Sequence, residues 1–242
     1  MESLRNEVLG AVKLIAEKVL RKPVPSLTVL FGFLKLKHKD MQLQEDSFYR
    51  TLNLKGKVVY DVGAHIGRNT MVFRGLVGSS GQVLAFEPNP ESFQLLCSNL
   101  QDTKNIRLFN IGLGEISSRC VLVASAYSNA RGTINQALAS KLKVGLHKTW
   151  IVPIEPLDEC IEKNRLPLPD LVKVDTEGAE LQVLKGMRKL LLEHHPRLFI
   201  EIHGISREDA LSNFMLIRLC LSQLGYKFKV AETQHLYAYY SP

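Results

Sequence analysis

The sequence predicts an α/β protein with an open, mostly parallel sheet of the nucleotide-binding kind. An apolar strand that begins at Val58 runs into a turn with Gly63 and Gly67, and a helix follows the turn. The next apolar segment, Gln82–Phe86, ends at an acid, Glu87. Strand, glycine turn, helix and acid-terminated strand, in that order, are typical of one half of a doubly wound sheet.

The turn and the acid indicate a cofactor that carries a ribose. Gly63 and Gly67 let the chain turn sharply and bring its backbone close to a ligand. The helix that follows directs its N-terminal N–H groups towards that ligand. Glu87 stands twenty residues after Gly67, where a carboxylate can accept hydrogen bonds from both ribose hydroxyls.

The same turn helps to separate two kinds of cofactor. A dinucleotide site uses G-x-G-x-x-G so that a pyrophosphate lies on the helix terminus, but residues 63–67 lack the middle glycine. Asp61, directly before the turn, would repel a pyrophosphate and suits a cationic group, such as the ammonium of a methionine-derived cofactor. In the alternative interpretation, Asp61 only caps backbone N–H groups of the turn.

Beyond Glu87 the chain keeps alternating between strand and helix, as judged from apolar runs and from apolar residues at helical spacing. Asn89 and Pro90 supply an N-cap and a first-turn proline, and Ser206 opens a capping box. The predicted elements are helix 91–101, strand 106–111, strands 120–124 and 149–154, helix 157–163, strand 171–175, helix 179–192, strand 197–203, a helix from 206 to about 224, and strands 226–230 and 235–240.

Residues 113–169 interrupt the simple alternation. Two of the predicted strands and one short helix fall inside them, around a polar stretch at 127–133. An insertion at this point is suited to bind an acceptor molecule. We therefore expect a cofactor-binding domain over 51–242 that carries this insertion, preceded by an N-terminal helical extension over 1–50.

The N-terminal extension carries much of the chain's positive charge. Residues 1–57 hold eleven Lys or Arg against six Asp or Glu, and apolar residues from Leu4 to Val19 recur at helical spacing. A helix packed on the domain is one interpretation. Peripheral contact of residues 1–37 with the anionic inner face of a membrane is the other.

Composition favours a cytoplasmic protein. At 242 residues and 45% apolar composition the chain can bury a substantial core. Its four cysteines are far apart and form no C-x-x-C pair, which favours reduced thiols over a disulfide framework or a zinc site.

Four segments resemble the FkbM-type branch of the S-adenosylmethionine-dependent methyltransferases. They are DVGAHIGRNT, FEPNPESFQLLCSNL, NIGLG and LVKVDTEGAELQVLKGM, and the resemblance runs from about Val58 to Glu201. The D-x-E-G-A-E segment with the leucine-rich helix after it is the specific part, whereas the family usually has Asn where this chain has His65. The resemblance implies a Rossmann-like class I methyltransferase sheet of seven strands, the last of them antiparallel, and S-adenosyl-L-methionine as cofactor.

The resemblance also implies where the cofactor lies. Ligands of an open parallel sheet bind outside the carboxyl ends of its strands. The methionine end of the cofactor would lie on the glycine turn, its ribose at Glu87 and its adenine beside the stretch 110–112. The cofactor-binding residues are then Asp61, Gly63, His65, Gly67, Glu87, Asn110 and Gly112.

Candidate catalytic residues lie at or just after the ends of the predicted strands 171–175 and 197–203. Methyl transfer to a hydroxyl needs in-line approach at about 3 to 3.5 Å and removal of the hydroxyl proton. Asp175, Glu177 and His203 are the candidate bases, and His203 has the ordinary pKa nearest neutrality. Alternatively, Asp175 and Glu177 only order the loop after strand 171–175, and His203 packs against that loop. A metal ion held by Asp175, Glu201 and His203 is a further candidate for removing the proton. It ranks below a protein base, because Mg²⁺ prefers carboxylates and waters and would use His203 poorly. No metal is therefore expected.

The sequence therefore predicts a methyltransferase, most simply an O-methyltransferase acting on a hydroxyl of a sugar, glycolipid or natural product. Two other classes stay open: an NAD-dependent oxidoreductase, which would share the turn and Glu87, and a cofactor-binding module without catalysis. The expected partner is a small-molecule, glycan or glycolipid acceptor. No nucleic-acid partner is expected, because the basic residues do not alternate with aromatic ones in a binding element.

Overall fold

A computed structural model describes residues 45–101, 103–125, 133–134, 147–204, 206–232 and 235–241. Residues 45–50 are helical. The later elements are β1 (Val58–Val62), α1 (Arg68–Val77), β2 (Gln82–Phe86), α2 (Pro90–Asn99), β3 (Ile106–Phe109), β4 (Gly112–Leu113), β5 (Ser118–Ser125), β6 (His147–Glu155), α3 (Leu157–Asn164), β7 (Leu171–Val174), α4 (Glu180–Gly186), α5 (Arg188–Glu193), β8 (Arg197–Glu201), α6 (Arg207–Gln223), β9 (Tyr226–Glu232) and β10 (His235–Tyr240).

The main sheet has seven strands in the order β3-β2-β1-β7-β8-β10-β9. Strands β3, β2, β1, β7 and β8 are parallel to one another, and the last strand, β10, is antiparallel to both β8 and β9. The predicted fold class is thereby confirmed, as is the closing hairpin. The strand order reverses between β1 and β7, and a doubly wound sheet binds its ligands at such a reversal.

The central strands are buried on both faces, which is why their sequences are mostly apolar, with Asp61 and Lys173 as exceptions. On one face Tyr60 and Val172 join a large core that α3, α4 and α6 complete. On the other face Val59 and Phe199 pack with Phe73 of α1. Because both faces of these strands are covered, a ligand can reach them only at their ends.

The predicted insertion forms a second, three-stranded sheet in the order β4-β6-β5. Its two long strands pair antiparallel from Ser118 opposite Ile154 to Ser125 opposite His147, so both are longer than the sequence predicted. Thr133 forms an isolated bridge with Val123. The rest of the polar stretch at 127–133 lies outside the described residues.

The single helix predicted over 179–192 is wrong, because the structure divides it at Met187 into α4 and α5. Gly186 packs against the carbonyl oxygen of Gly114, a contact that no residue with a Cβ could make. The carboxylate of Asp158 accepts hydrogen bonds from the backbone N–H groups of Lys189 and Leu190. Asp158 therefore caps α5 as a separate helix.

The N-terminal extension over 1–50 is described only from residue 45, so the helix at residues 4–19 and the membrane contact of residues 1–37 lie outside the described residues. Tyr49, in the helical residues 45–50, is fully buried, and its ring centroid lies 4.6 Å from that of Phe73. Within the described part of the chain, no helix is long and apolar enough to cross a membrane. All four cysteines are free thiols.

Candidate functional site

A cavity of about 320 Å³ opens at the carboxyl ends of β1, β2 and β7. Its wall includes Leu122, Ile134 and Ile154 from the insertion, so the insertion borders the cavity as expected. Six of the predicted site residues line it, and the other four, Asp61, Gly67, Asn110 and His203, are outside its described lining. The six are Gly63, His65, Glu87, Gly112, Asp175 and Glu177.

The glycine turn forms the floor of the cavity. Gly63 has a φ of 80°, and a Cβ there would fall on the carbonyl oxygen of Asp175. Gly67 has a φ of 92° and is the N-cap residue of α1, where a Cβ would lie 2.6 Å from Leu96 Cδ1. Both positions therefore favour glycine for conformation, and Gly63 requires it for space as well, because the atom that its Cβ would meet belongs to the backbone. His65 also has a positive φ, of 53°.

Glu87 is held at the end of β2 by the backbone. Its carboxylate oxygens accept hydrogen bonds from the N–H groups of His65 and Asn89, each at 2.8 Å. Burial raises the pKa of Glu87 to about 7, against the lowering effect of those two hydrogen bonds. A buried carboxylate oriented in this way can accept further hydrogen bonds from a ligand in the cavity.

Asp61 lies beneath the turn rather than at its surface. The strand does not stop before this residue, because Asp61 is an interior residue of β1 and is fully buried. Its carboxylate accepts a hydrogen bond from Thr70 Oγ1 at 2.6 Å and lies 3.7 Å from the ammonium of Lys173. The Asp61 carboxylate is therefore not accessible for the predicted direct contact with a cationic group of the cofactor.

Lys173 connects this buried acid to the cavity wall. Its ammonium contacts Asp175 Oδ2 at 2.9 Å, and the side chain is 2% exposed. Burial would lower the pKa of Lys173, but the charges of Asp175 and Asp61 outweigh burial and raise it. Burial raises the pKa of Asp61, because full burial outweighs the lowering effects of the Lys173 charge and of the Thr70 hydrogen bond.

Asn110 and Gly112 lie on the adjacent edge of the cavity. The side-chain amide of Asn110 donates hydrogen bonds to the carbonyl oxygens of Glu87 and Pro88, at 2.8 and 3.2 Å. Asn110 therefore shapes the cavity by anchoring the chain after β2. Gly112 faces the cavity itself, where Ile154 Cδ1 would lie 2.5 Å from an added Cβ.

The three predicted catalytic residues do meet at one wall. His203 Nε2 lies 3.7 Å from both Asp175 Oδ1 and Glu177 Oε2. His203 Nδ1 lies 3.0 Å from Glu180 Oε1, and Nε2 lies 3.5 Å from Glu201 Oε1. Four carboxylates therefore surround one buried imidazole.

This environment changes the expected behaviour of His203. Burial alone would lower the pKa of His203, but Glu180 and Glu201, together with the charges of Asp175 and Glu177, raise it well above its ordinary value. The expectation of a near-neutral pKa is wrong for this reason. With four carboxylates around it, the ring is a proton donor or an ion-pair partner rather than a free base.

A second buried cluster lies next to the first, and the sequence did not predict it. His235 Nε2 lies 2.7 Å from Glu45 Oε1 and 3.5 Å from Glu201 Oε2. Burial would lower the pKa of His235, but Glu201 and Glu45 raise it to about 9. Glu201 thereby links the two histidines, and their combined charge lowers the pKa of Glu201 despite burial.

Among the residues that sequence reasoning missed, two had a recognisable signal. Lys173 interrupts an otherwise apolar strand, which is unusual unless an acid pairs with it. Glu180 ends the D-T-E-G-A-E segment that carried the family resemblance. Glu45 and His235 had no such signal, because only the sheet brings them together.

Comparison with known proteins gives a consistent result. A family model described as the Methyltransferase FkbM domain matches residues 61–228. The chain is 32% identical over 154 residues to the hexuronic acid methyltransferase AglP of Haloferax volcanii, a match that covers 63% of this chain and 59% of that protein. It is 26% identical over 144 residues to Methyltransferase 1 of Beauveria bassiana, covering 53% and 57%. The chain thus spans less than two thirds of the length of these relatives.

A solved structure shares the fold. Methyltransferase FkbM from Methylobacillus flagellatus superposes with a TM-score of 0.54 at 21% identity, over 76% of this chain and 43% of that one. The family match favours a methyltransferase over the nicotinamide oxidoreductase that the sequence left open.

Proposed function

This chain belongs to the FkbM methyltransferase family, whose Rossmann-like fold is that of S-adenosylmethionine-dependent enzymes, and on that premise we propose that it transfers a methyl group from S-adenosylmethionine to a sugar hydroxyl. The observation that carries the proposal is the cavity that joins the glycine turn, the Glu87 carboxylate and the acidic wall of Asp175 and Glu177. The relative named for a hexuronic acid supports a sugar as the acceptor class.

The cofactor half of the cavity supports binding of an adenosyl sulfonium. In this proposal Glu87 accepts the ribose hydroxyls, and the turn from Gly63 to Gly67 receives the methionine end beside His65. Gly112 borders the adenine, with Asn110 anchoring that edge. Asp61 acts from beneath the turn, by fixing Thr70 at the start of α1 and Lys173 beside the cavity.

The acceptor half is bordered by the insertion and by the acidic wall. Asp175 and Glu177 line the cavity, while His203 contacts both from behind. We assign Asp175 and Glu177 to holding the acceptor hydroxyl and receiving its proton. His203 then acts as a positioning residue, because its ring contacts both carboxylates and Glu180 orients it.

Replacing Glu87 with Ala is expected to weaken binding of S-adenosylhomocysteine by about 1.5 to 3 kcal/mol, since it removes hydrogen bonds to a charged acceptor. Isothermal titration calorimetry measures this affinity directly. Glu91→Ala is the matched control, because Glu91 is an exposed carboxylate paired with Lys148 and lies outside the cavity lining. NAD should not bind the wild-type protein, and an unchanged affinity in Glu87→Ala would refute the ribose assignment.

The pH dependence of the same affinity tests the role of Glu87 independently. Its pKa of about 7 means that the carboxylate is protonated below that pH and becomes a full acceptor above it. The affinity for S-adenosylhomocysteine should therefore rise as the pH increases through 7. In Glu87→Gln this rise should be absent, because the amide does not titrate.

The transfer itself can be followed with a trideuteromethyl-labelled cofactor and uronic-acid and neutral glycosides as acceptors. A hydroxyl acceptor gives a methyl ether, and we expect product whose mass label survives mild alkaline hydrolysis. A carboxylate acceptor would give a methyl ester that alkali cleaves. Loss of the label in alkali would contradict the hydroxyl assignment but not methyl transfer, and cofactor binding without turnover on any glycoside would contradict the acceptor class.

A further inference from the structure

The ring of His203 is oriented as a ligand. Its Nδ1 lies at hydrogen-bond distance, 3.0 Å, from Glu180 Oε1, which directs Nε2 towards Asp175, Glu177 and Glu201. Histidines that bind metal ions usually donate their other ring N–H to a carboxylate in this way. His203 is 8% exposed, and its Nε2 is buried without a hydrogen-bond partner in the described part of the chain.

Three potential ligand atoms face one another at this wall. Nε2 of His203 and one carboxylate oxygen each from Asp175 and Glu177 all lie within 4.8 Å of one another. The distances of 3.7 Å from Nε2 to each oxygen exceed a hydrogen bond. An octahedral ion with bonds of about 2.0 to 2.4 Å holds adjacent ligand atoms about 2.8 to 3.4 Å apart. The two Nε2–oxygen distances of 3.7 Å are therefore slightly longer than the separations that such an ion requires.

From this geometry we propose that Asp175, Glu177 and His203 bind a divalent transition-metal ion at the wall of the cavity. The donor set selects the class of ion. Imidazole suits Zn²⁺ and Fe²⁺, whereas carboxylates suit Mn²⁺ and Mg²⁺, so one nitrogen with two oxygens favours Mn²⁺, Fe²⁺ or Zn²⁺ over Mg²⁺. Binding of the ion releases the proton of His203 Nε2 to water, so the ion and that proton are alternatives at the ring. Ion binding does not depend on methyl transfer.

Charge at the wall supports a cation. Asp175, Glu177, Glu180 and Glu201 all lie within 3.7 Å of the His203 ring. Within the described residues, Lys173 contacts Asp175 Oδ2 and His235 Nε2 lies 3.5 Å from Glu201 Oε2, while the other Asp175 oxygen, Oδ1, faces His203. A dication would therefore compensate carboxylates that are concentrated at a largely buried position, where charge interactions are strong.

The neighbouring cluster of Glu45, Glu201 and His235 also brings three potential ligands together. His235 Nε2 and Glu45 Oε1 are 2.7 Å apart. This is an ion-pair distance, and it is shorter than the separation of adjacent metal ligands. All three residues of this cluster are buried. This cluster is a complete ion pair, so the first cluster is the metal site.

The test is titration of the full-length, EDTA-treated chain with Mn²⁺, followed by the loss of the electron paramagnetic resonance signal of the free ion. We expect one bound Mn²⁺ per chain. His203→Gln and Asp175→Asn should each weaken binding by at least about 10-fold, the loss that even an outer-shell substitution causes. Glu193→Gln, an exposed carboxylate at the end of α5, is the matched control and should bind normally.

The outcomes separate the alternatives. Absence of Mn²⁺ binding, binding unchanged in both variants, or equal weakening in Glu193→Gln would overturn the proposal. Loss of binding in His235→Gln alone would also overturn it, because the ion would then occupy the other cluster. If the variants do not fold, anomalous diffraction from Mn²⁺-soaked wild-type crystals decides by locating the ion. S-adenosylhomocysteine binding in the same samples shows separately whether the proposed function fails.

Discussion

Replacing Lys173 with Met is expected to lower the free energy of unfolding by about 3 to 5 kcal/mol, the cost of breaking a buried ion pair from one side. The side chain is 2% exposed, and its ammonium lies 2.9 Å from Asp175 Oδ2 and 3.7 Å from Asp61 Oδ1. Met retains the length of the side chain but leaves a fully buried carboxylate at Asp61 without its cation. Urea denaturation followed by circular dichroism measures the loss.

Two comparisons make this result specific. Lys57 is 47% exposed and pairs with Asp170, so Lys57→Met should shift the urea midpoint little. Adding Asp61→Asn to Lys173→Met should restore part of the lost stability, because it removes the unpaired buried charge. If Lys173→Met were as stable as the wild type, the buried ion pair could not be a feature of the folded protein.

Gly63→Ala is expected to abolish detectable cofactor binding and to destabilise the fold by about 3 kcal/mol or more, from backbone strain and overpacking together. The φ of 80° disfavours any side chain, and the added Cβ would fall on the Asp175 carbonyl oxygen. Relief of that clash would separate the ends of β1 and β7, which form the cavity. Thermal unfolding and calorimetry with S-adenosylhomocysteine measure the two effects.

Gly75→Ala provides the matched control, because Gly75 lies within α1 and an added Cβ there meets nothing within 4 Å. Alanine in a helix interior is favoured over glycine by about 0.5 to 1 kcal/mol, so this variant should be slightly more stable and bind the cofactor normally. Normal binding by Gly63→Ala would mean that the turn does not approach the cofactor closely.

Several features of the fold could be predicted because they depend on neighbouring residues. The glycine turn and the N-caps at Asn89 and Ser206 are local, and the structure confirms all three. The break at Met187 could not be predicted from the leucine pattern, because it depends on contacts with Gly114 and Asp158, which are distant in sequence.

The sequence by itself determined the sheet class, the turn and the acid at the end of β2, because strand and helix periodicity and glycine conformation are properties of short segments. Only the tertiary structure decided how the polar residues act. Asp61 is buried on Lys173, 112 residues later, and His203 is enclosed by carboxylates from two strand ends and α4. The protonation and exposure of Asp61 and His203 depend on which strands become neighbours, and β1 and β7 become neighbours only when the sheet forms.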